Sequence, residues 1–193
     1  MHSITVFCGS NSGTDPVFTN QAFALGKTLA QLNIRLVYGG AKIGMMGAVA
    51  EGVLSAGGKV IGVIPWFLRK KEVAHENLTE LIVVESMHER KMKMHELSDG
   101  VIALPGGFGT LEELFEMLTW AQLGLHQKPI GILNIAGFYD ALCAQIQTMS
   151  DQEFLKESNQ KMLLVSDRIE DLLAQMENYV APEVGKWIEK EDV

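Results

Sequence analysis

Residues Gly100–Glu113 read GVIALPGGFGTLEE. An apolar run, Gly100–Leu104, ends at Pro105. Three glycines follow within four residues, Gly106, Gly107 and Gly109, and from Thr110 the pattern is that of a helix running to about Leu123. A strand that is apolar throughout is buried on both faces, as in the middle of a parallel sheet covered by helices. A glycine junction between such a strand and a helix lets the backbone approach a ligand closely. It points several N–H groups at one spot with the helix dipole behind them, which makes a site for an anion.

The same alternation extends in both directions. Ser3–Phe7 reads as a strand ending at Cys8-Gly9-Ser10, with a helix over about Phe18–Leu32. Ile34–Tyr38 is a strand leading into Gly39-Gly40 and a helix over about Gly47–Ser55. Lys59–Ile64, stopped by Pro65, and Leu81–Glu85 are strands, the second followed by a helix through Leu97. Pro129–Asn134 and a helix near Tyr139–Met149 come next, then a shorter strand, Met162–Val165, and a helix, Arg168–Tyr179. Strand and helix in regular turn predict an α/β fold: a doubly wound, Rossmann-like, mainly parallel sheet of about seven strands with helices on both faces. The 193 residues suit a single domain spanning 1–193, with an acidic tail from about residue 182. In this architecture ligands sit beyond the carboxyl ends of the strands.

Composition narrows the function. The net charge is −8, with 11 basic and 13 acidic residues up to position 150 and 5 and 11 after it. That balance lacks the basic footprint of a nucleic-acid binder. Residues 59–93 nevertheless hold seven of the sixteen basic groups, interleaved with five glutamates, a supply of cations for a small anionic ligand. No apolar run reaches the ~18–20 residues of a membrane span, and MHSITVFCGS lacks the pattern of a signal peptide. Two cysteines, Cys8 and Cys143, with no CxxC pair, fit a reducing cytoplasm and exclude a disulfide scaffold. GxxxxGK[ST], HExxH and GxSxG are absent, which removes P-loop NTPases, zinc proteases of that type and α/β-hydrolases, and the strict GxGxxG after the first strand is missing too.

Three glycine loops remain: Cys8–Gly13 (CGSNSG), Gly39–Gly47 (GGAKIGMMG) and Pro105–Glu113. Glycines that merely turn the chain would explain one of them; three on one sheet edge favour a nucleotide-type ligand. Thr110 and Glu113 have the spacing of a capping box, which would make both structural. Against that stand the surplus glycines and the adjacent Glu112, a second carboxylate at the mouth of an anion site. A carboxylate there can point at a sugar and steady a positively charged transition state or orient a water. In Met87–Met94 (MHERKMKM), Arg90 falls near the face marked by Met87, Met94 and Leu97. It reads as a snorkelling residue, as a surface ion pair with Glu89 or Glu96, or as an inward arginine that grips phosphate. His75, His88, His95 and His126 show no metal-ligand spacing, and the ten methionines read as core filler.

Taken together these motifs resemble the "lonely guy" family of cytokinin riboside 5′-monophosphate phosphoribohydrolases, also described as lysine decarboxylases. PGGFGTLEE at Pro105–Glu113 is similar to that family's PGGxGTxxE signature, and MHERK at Met87–Lys91 to its Arg-Lys motif. GGAKIGMMG, CGSNSG and Thr119–Asn134 are also similar, with Ala41 where many members have glycine, so the resemblance spans about residues 3–180. It implies hydrolysis of the N-glycosidic bond of a purine nucleoside 5′-monophosphate to free base and ribose 5-phosphate. Arg90 and Glu113 would be the catalytic pair. Gly107, Gly109 and Thr110 would hold the phosphate. Glu72, Lys91, Gly106, Phe108, Leu111, Glu112 and Thr119 would complete the substrate site. It further implies no metal or organic cofactor, a homodimer and a cytoplasmic location, with no membrane or nucleic-acid polymer as partner. An AMP-type nucleosidase of purine salvage, or a non-catalytic nucleotide-binding module, are the alternatives. A decarboxylase would need pyridoxal phosphate on a Schiff-base lysine, for which the loops offer Lys42, Lys91 and Lys93.

Overall fold

The computed structural model describes residues 1–69, 74–75 and 77–183. Seven strands, β1 (Ser3–Phe7), β2 (Arg35–Tyr38), β3 (Val60–Pro65), β4 (Glu80–Val84), β5 (Gly100–Ala103), β6 (Ile130–Leu133) and β7 (Leu163–Ser166), form one sheet in the order β4-β3-β2-β1-β5-β6-β7. Every neighbouring pair is parallel; Thr5 of β1 sits in register with Val37 of β2 and Val101 of β5. The order reverses between β1 and β5, so the ligand crevice belongs above those two strands.

Successive strand residues face opposite sides. Ile4, Val6, Leu36, Tyr38 and Ile102 pack beneath α1 (Pro16–Gln31), α2 (Gly44–Ser55) and α8 (Ile169–Glu177). Phe7, Val37, Val63, Val101 and Ala103 pack beneath α4 (Met87–Glu96), α5 (Phe108–Gln122) and α6 (Asp140–Asp151). Two four-residue helices, α3 (Trp66–Arg69) and α7 (Glu157–Gln160), complete the set; they are too short to leave a period in the sequence.

Helix starts differ from the sequence reading at the glycine loops. α1 begins at Pro16, where Asp15 caps the backbone N–H of Val17 and proline at the first turn needs no acceptor. α2 begins at Gly44, three residues before the expected Gly47, and α5 at Phe108, two before Thr110. In both, glycines lie inside the first turn, and glycine's weak helix propensity hides them from a pattern search. The acidic tail after residue 183 lies outside the described residues, as do Lys70, Lys71 and Glu72.

Candidate active site

The three glycine loops touch one another above β1 and β5. The Gly9 amide donates to the Pro105 carbonyl at 3.0 Å, joining the first loop to the third. Gly44, at φ +61°, packs so closely on the Ser10 carbonyl that a Cβ would collide with it, joining the second loop to the first. Between them lies a cavity of about 400 Å³, lined by residues 9–13 and 105–110, Met45, Phe18 and Phe138.

The helix ends at this crevice are unequal. α1 is closed by Asp15, but α2 and α5 carry no side-chain cap. Among the described residues, the amides of Phe108, Gly109 and Thr110 meet no protein acceptor. Those are the orphan donors of a helix N-terminus, and an anion is the partner they lack. The capping box expected from Thr110 and Glu113 does not form: the N-cap is Gly107, Thr110 lies buried three residues into the helix, and Glu113 makes no hydrogen bond to its turn. The capping arrangement belongs to α4 instead, where Ser86 accepts from the Glu89 amide and Glu89 accepts from the Glu85 amide.

That cap also decides how Arg90 is held. Glu89 is occupied with backbone and Glu96 with Lys93, so Arg90 turns inward and is 7 % exposed. Its Nε donates to the Val63 carbonyl at 3.1 Å and its Nη2 to the Gly39 carbonyl at 3.0 Å. Among the described residues Nη1 faces only the Met87 sulfur, at 3.9 Å. Among the described residues the guanidinium forms no ion pair. The reading of Arg90 as a surface ion pair with Glu89 or Glu96 is therefore corrected. A buried cation tethered through neutral carbonyls keeps both its charge and spare donors for a ligand.

Glu113, one turn into α5, is the facing group. Burial pushes its carboxyl up to about 7; Arg90 pulls it down, Glu112 pushes it up, Lys91 pulls it down and Glu116 pushes it up. A carboxyl poised near neutrality beside an arginine is suited to charge chemistry. Below both residues the Cys8 thiol, at the tip of β1, is kept protonated by burial and by Glu113, with Arg90 opposing. Tyr139 supports the end of β5 from beneath, its hydroxyl donating to the Leu104 carbonyl at 2.7 Å.

The structure thus brings together Arg90, Lys91, Glu112, Glu113 and the loop Gly106–Thr110. Leu111 turns toward the core under α5. Thr119 stands about 14 Å further along the helix axis from Thr110, its hydroxyl on the Phe115 carbonyl, beside a separate apolar cavity of about 200 Å³. Glu72 lies outside the described residues. Sequence reasoning missed the carbonyls of Gly39 and Val63, since backbone acceptors leave no residue signal, and missed Glu116. The spacing of Glu112 and Glu116, four apart on one helix face, was the available sign.

The residues do not suit a Schiff-base cofactor. Lys91 is buried, but the hydrogen bonds it donates to Glu112 and Glu116 outweigh the effect of burial and hold its ammonium above the ordinary lysine range. A Schiff-base lysine must give up that proton. Among the described residues no three His, Cys, Asp or Glu side chains gather to hold a metal ion.

A family profile described as "Possible lysine decarboxylase" matches residues 46–176. A rice protein (Oryza sativa subsp. japonica) named "Probable cytokinin riboside 5'-monophosphate phosphoribohydrolase LOGL1" is 46% identical over 176 residues, covering 91% of this chain and 79% of the relative. An Arabidopsis thaliana protein named "Cytokinin riboside 5'-monophosphate phosphoribohydrolase LOG2" is 42% identical over 177 residues, covering 92% and 83%. Among solved structures, a molybdenum cofactor binding protein from Rippkaea orientalis superposes with a TM-score of 0.68 at 23% identity, covering 91% of this chain and 94% of that one. The molybdenum cofactor carrier protein of Chlamydomonas reinhardtii gives 0.66 at 19%, covering 91% and 95%. At those identities the structural likeness establishes the Rossmann-like fold alone.

Proposed function

The chain belongs to the family described as possible lysine decarboxylases, whose curated relatives are named cytokinin riboside 5′-monophosphate phosphoribohydrolases, and on that premise we propose that it hydrolyses the N-glycosidic bond of a purine nucleoside 5′-monophosphate. The C1′–N bond breaks with its electron pair on the base, the oxygen of water bonds to C1′, and the water's proton goes to the base. The products are free base and ribose 5-phosphate.

One observation carries this reading: Glu113, held near neutrality, couples to the buried Arg90 on a helix whose N-terminal amides are uncapped. The amides of Phe108–Thr110 and the dipole of α5 take the phosphate. The cleavage passes through an oxocarbenium-like state, with positive charge on the ribose. Glu113 as carboxylate is worth more to that state than to the neutral ground state, whether it faces the sugar or the attacking water. Arg90 holds the 5′-phosphate end or the ribose hydroxyls and keeps Glu113 ionisable. The phosphate is remote from the breaking bond, so its binding energy fixes the ribose and favours monophosphates over ribosides. A binding module would need the glycine loops but neither a buried arginine without an ion-pair partner among the described residues nor a carboxyl held near neutrality beside it.

Cytokinin-type N6-modified adenosine monophosphate is the substrate we favour, on the names of the relatives. A homodimer fits the exposed apolar side chains on and beside edge strand β4: Trp66, Phe67, Val83, Met87 and Met92. A cytoplasmic location fits two free cysteines. The test is chromatographic detection of free base from isopentenyladenosine 5′-monophosphate, AMP and the two unphosphorylated ribosides, without added metal. Release from the monophosphates is expected; release from none of the four overturns the reading.

A further inference from the structure

Lys91 stands next to Arg90 on α4, and Glu112 stands next to Glu113 on α5. The two neighbours meet: Lys91 Nζ lies 2.5 Å from Glu112 Oε1 and 3.0 Å from Glu116 Oε1. Lys91 is 4 % exposed, so its ammonium has left water for these two carboxylates. Among the described residues the second oxygen of Glu116 is buried with no partner, and Lys91 supplies this carboxylate's one hydrogen bond.

We infer that Lys91 is a positioning residue for the hydrolysis, clamping α4 to α5 so that Arg90 faces Glu113, and cancelling the charge of Glu112 and Glu116 at that carboxylate. The inference rests on the hydrolase reading above.

A helix-to-helix tie one residue away from each member of the catalytic pair sets how far apart that pair lies. A displacement of about 1 Å at such a site costs on the order of 100-fold in rate. The charge inventory points the same way. Arg90 and Lys91 face Glu113 from α4, Glu112 and Glu116 from α5, and the Cys8 thiol from β1. With Lys91 present, two cations balance two neighbouring carboxylates, and Glu113 can ionise. Without it, one guanidinium faces two uncompensated carboxylates, and Glu113 holds its proton to higher pH. A direct grip on the substrate is the competing role, but two of the three ammonium donors are already used by the protein.

The test follows the Glu113 carboxyl by carbon-13 NMR in the full chain without substrate, with Glu113→Gln to assign the signal, alongside the pH profile of kcat/KM. In Lys91→Met the Glu113 titration should move up by about one unit. The acid limb of kcat/KM should follow it, lowering the rate at pH 7 about five-fold through ionisation alone. Lys91→Arg should restore both, and Glu116→Gln added to Lys91→Met should move the titration back down. An unmoved titration, with KM for the monophosphate raised at unchanged kcat, overturns the inference and leaves Lys91 as a substrate contact. Should Lys91→Met fail to fold, Glu112→Gln carries the test: it leaves Lys91 excess charge, so the Glu113 titration should fall, and an unmoved one overturns the inference. The titration needs no substrate. A wild-type chain that releases no base sinks the hydrolase reading whatever the titration shows.

Discussion

The guanidinium of Arg90 occupies the space that a Cβ on Gly39 would need, and its Nη2 donates to the Gly39 carbonyl at 3.0 Å. The glycine at the end of β2 is therefore a seat for the arginine of α4, 51 residues on in the sequence. The seat is neutral, so the charge stays available to a ligand.

Gly39→Ala should unseat Arg90 while leaving the sheet intact. The expected loss in kcat/KM is about 100-fold on the monophosphate, with a stability cost of about 1–3 kcal/mol from overpacking. Arg90→Ala should lose both binding and rate and flatten the preference for monophosphate over riboside. Steady-state kinetics on both substrates decide it; an unchanged preference would remove Arg90 from the phosphate, and wild-type rates in Gly39→Ala would show that the tether is not used.

Gly107 offers a separation of stability from function. A Cβ there meets nothing, and the residue has the extended backbone of an N-cap at φ −96°, ψ −153°. Gly107→Asp should therefore cap α5 and stabilise the chain by a few tenths of a kcal/mol up to about 1. The same carboxylate would sit where the phosphate belongs. The variant should melt slightly higher while its KM for the monophosphate rises at least ten-fold and its weak riboside activity stays. A normal KM would place the phosphate elsewhere.

Glu113→Gln keeps shape and loses charge. Turnover should fall steeply with substrate affinity mostly kept. In the wild type kcat/KM should rise with pH through about 7, as the carboxyl that burial pushes up to that value ionises. The variant should lack this limb, and near-wild-type turnover would remove Glu113 from the chemistry.

Much of this site is legible in the sequence because it is made of turns and charges. Pro105–Thr110 announces an anion loop, and the adjacent Glu112 argues against a purely structural end to that loop. The choice between cap and catalyst at Glu113 is not legible, because it depends on where α5 begins. Gly107 at its N-cap and Gly109 inside its first turn move that point by two residues. Nor is the inward turn of Arg90 legible. It follows from Ser86 and Glu89 satisfying each other's neighbourhood and from two carbonyls that strand pairing brings beneath α4. The alternating strands give the seven-stranded sheet directly. Its order, with β1 in the centre and the switch beside β5, is set by long-range pairing that no single strand encodes.

Glu113 and His95 should pull stability in opposite directions over the same pH range. Burial holds Glu113 above the ordinary value of 4.5, at about 7, so the folded state keeps a proton that the unfolded state has lost. Between those values stability falls as pH rises, by up to about 1–3 kcal/mol, and the penalty persists above pH 7. His95, at the end of α4, is lowered from 6.5 to about 4 by burial, then by Lys128 and His126, and its Nδ1 is buried without a partner among the described residues. There the unfolded state binds the extra proton, so stability is full above about 6.5 and lost as pH falls toward 4, again by about 1–3 kcal/mol. The wild-type profile should consequently look flat between pH 4.5 and 6.5, and only single variants expose the two slopes. In urea titrations, Glu113→Gln should be more stable than wild type at pH 8 and little changed at pH 4.5. His95→Gln should lose the acid-side destabilisation, so its stability relative to wild type improves as pH drops from 6.5 to 4.5. Parallel curves for wild type and His95→Gln would mean that His95 accepts its proton in the fold without cost.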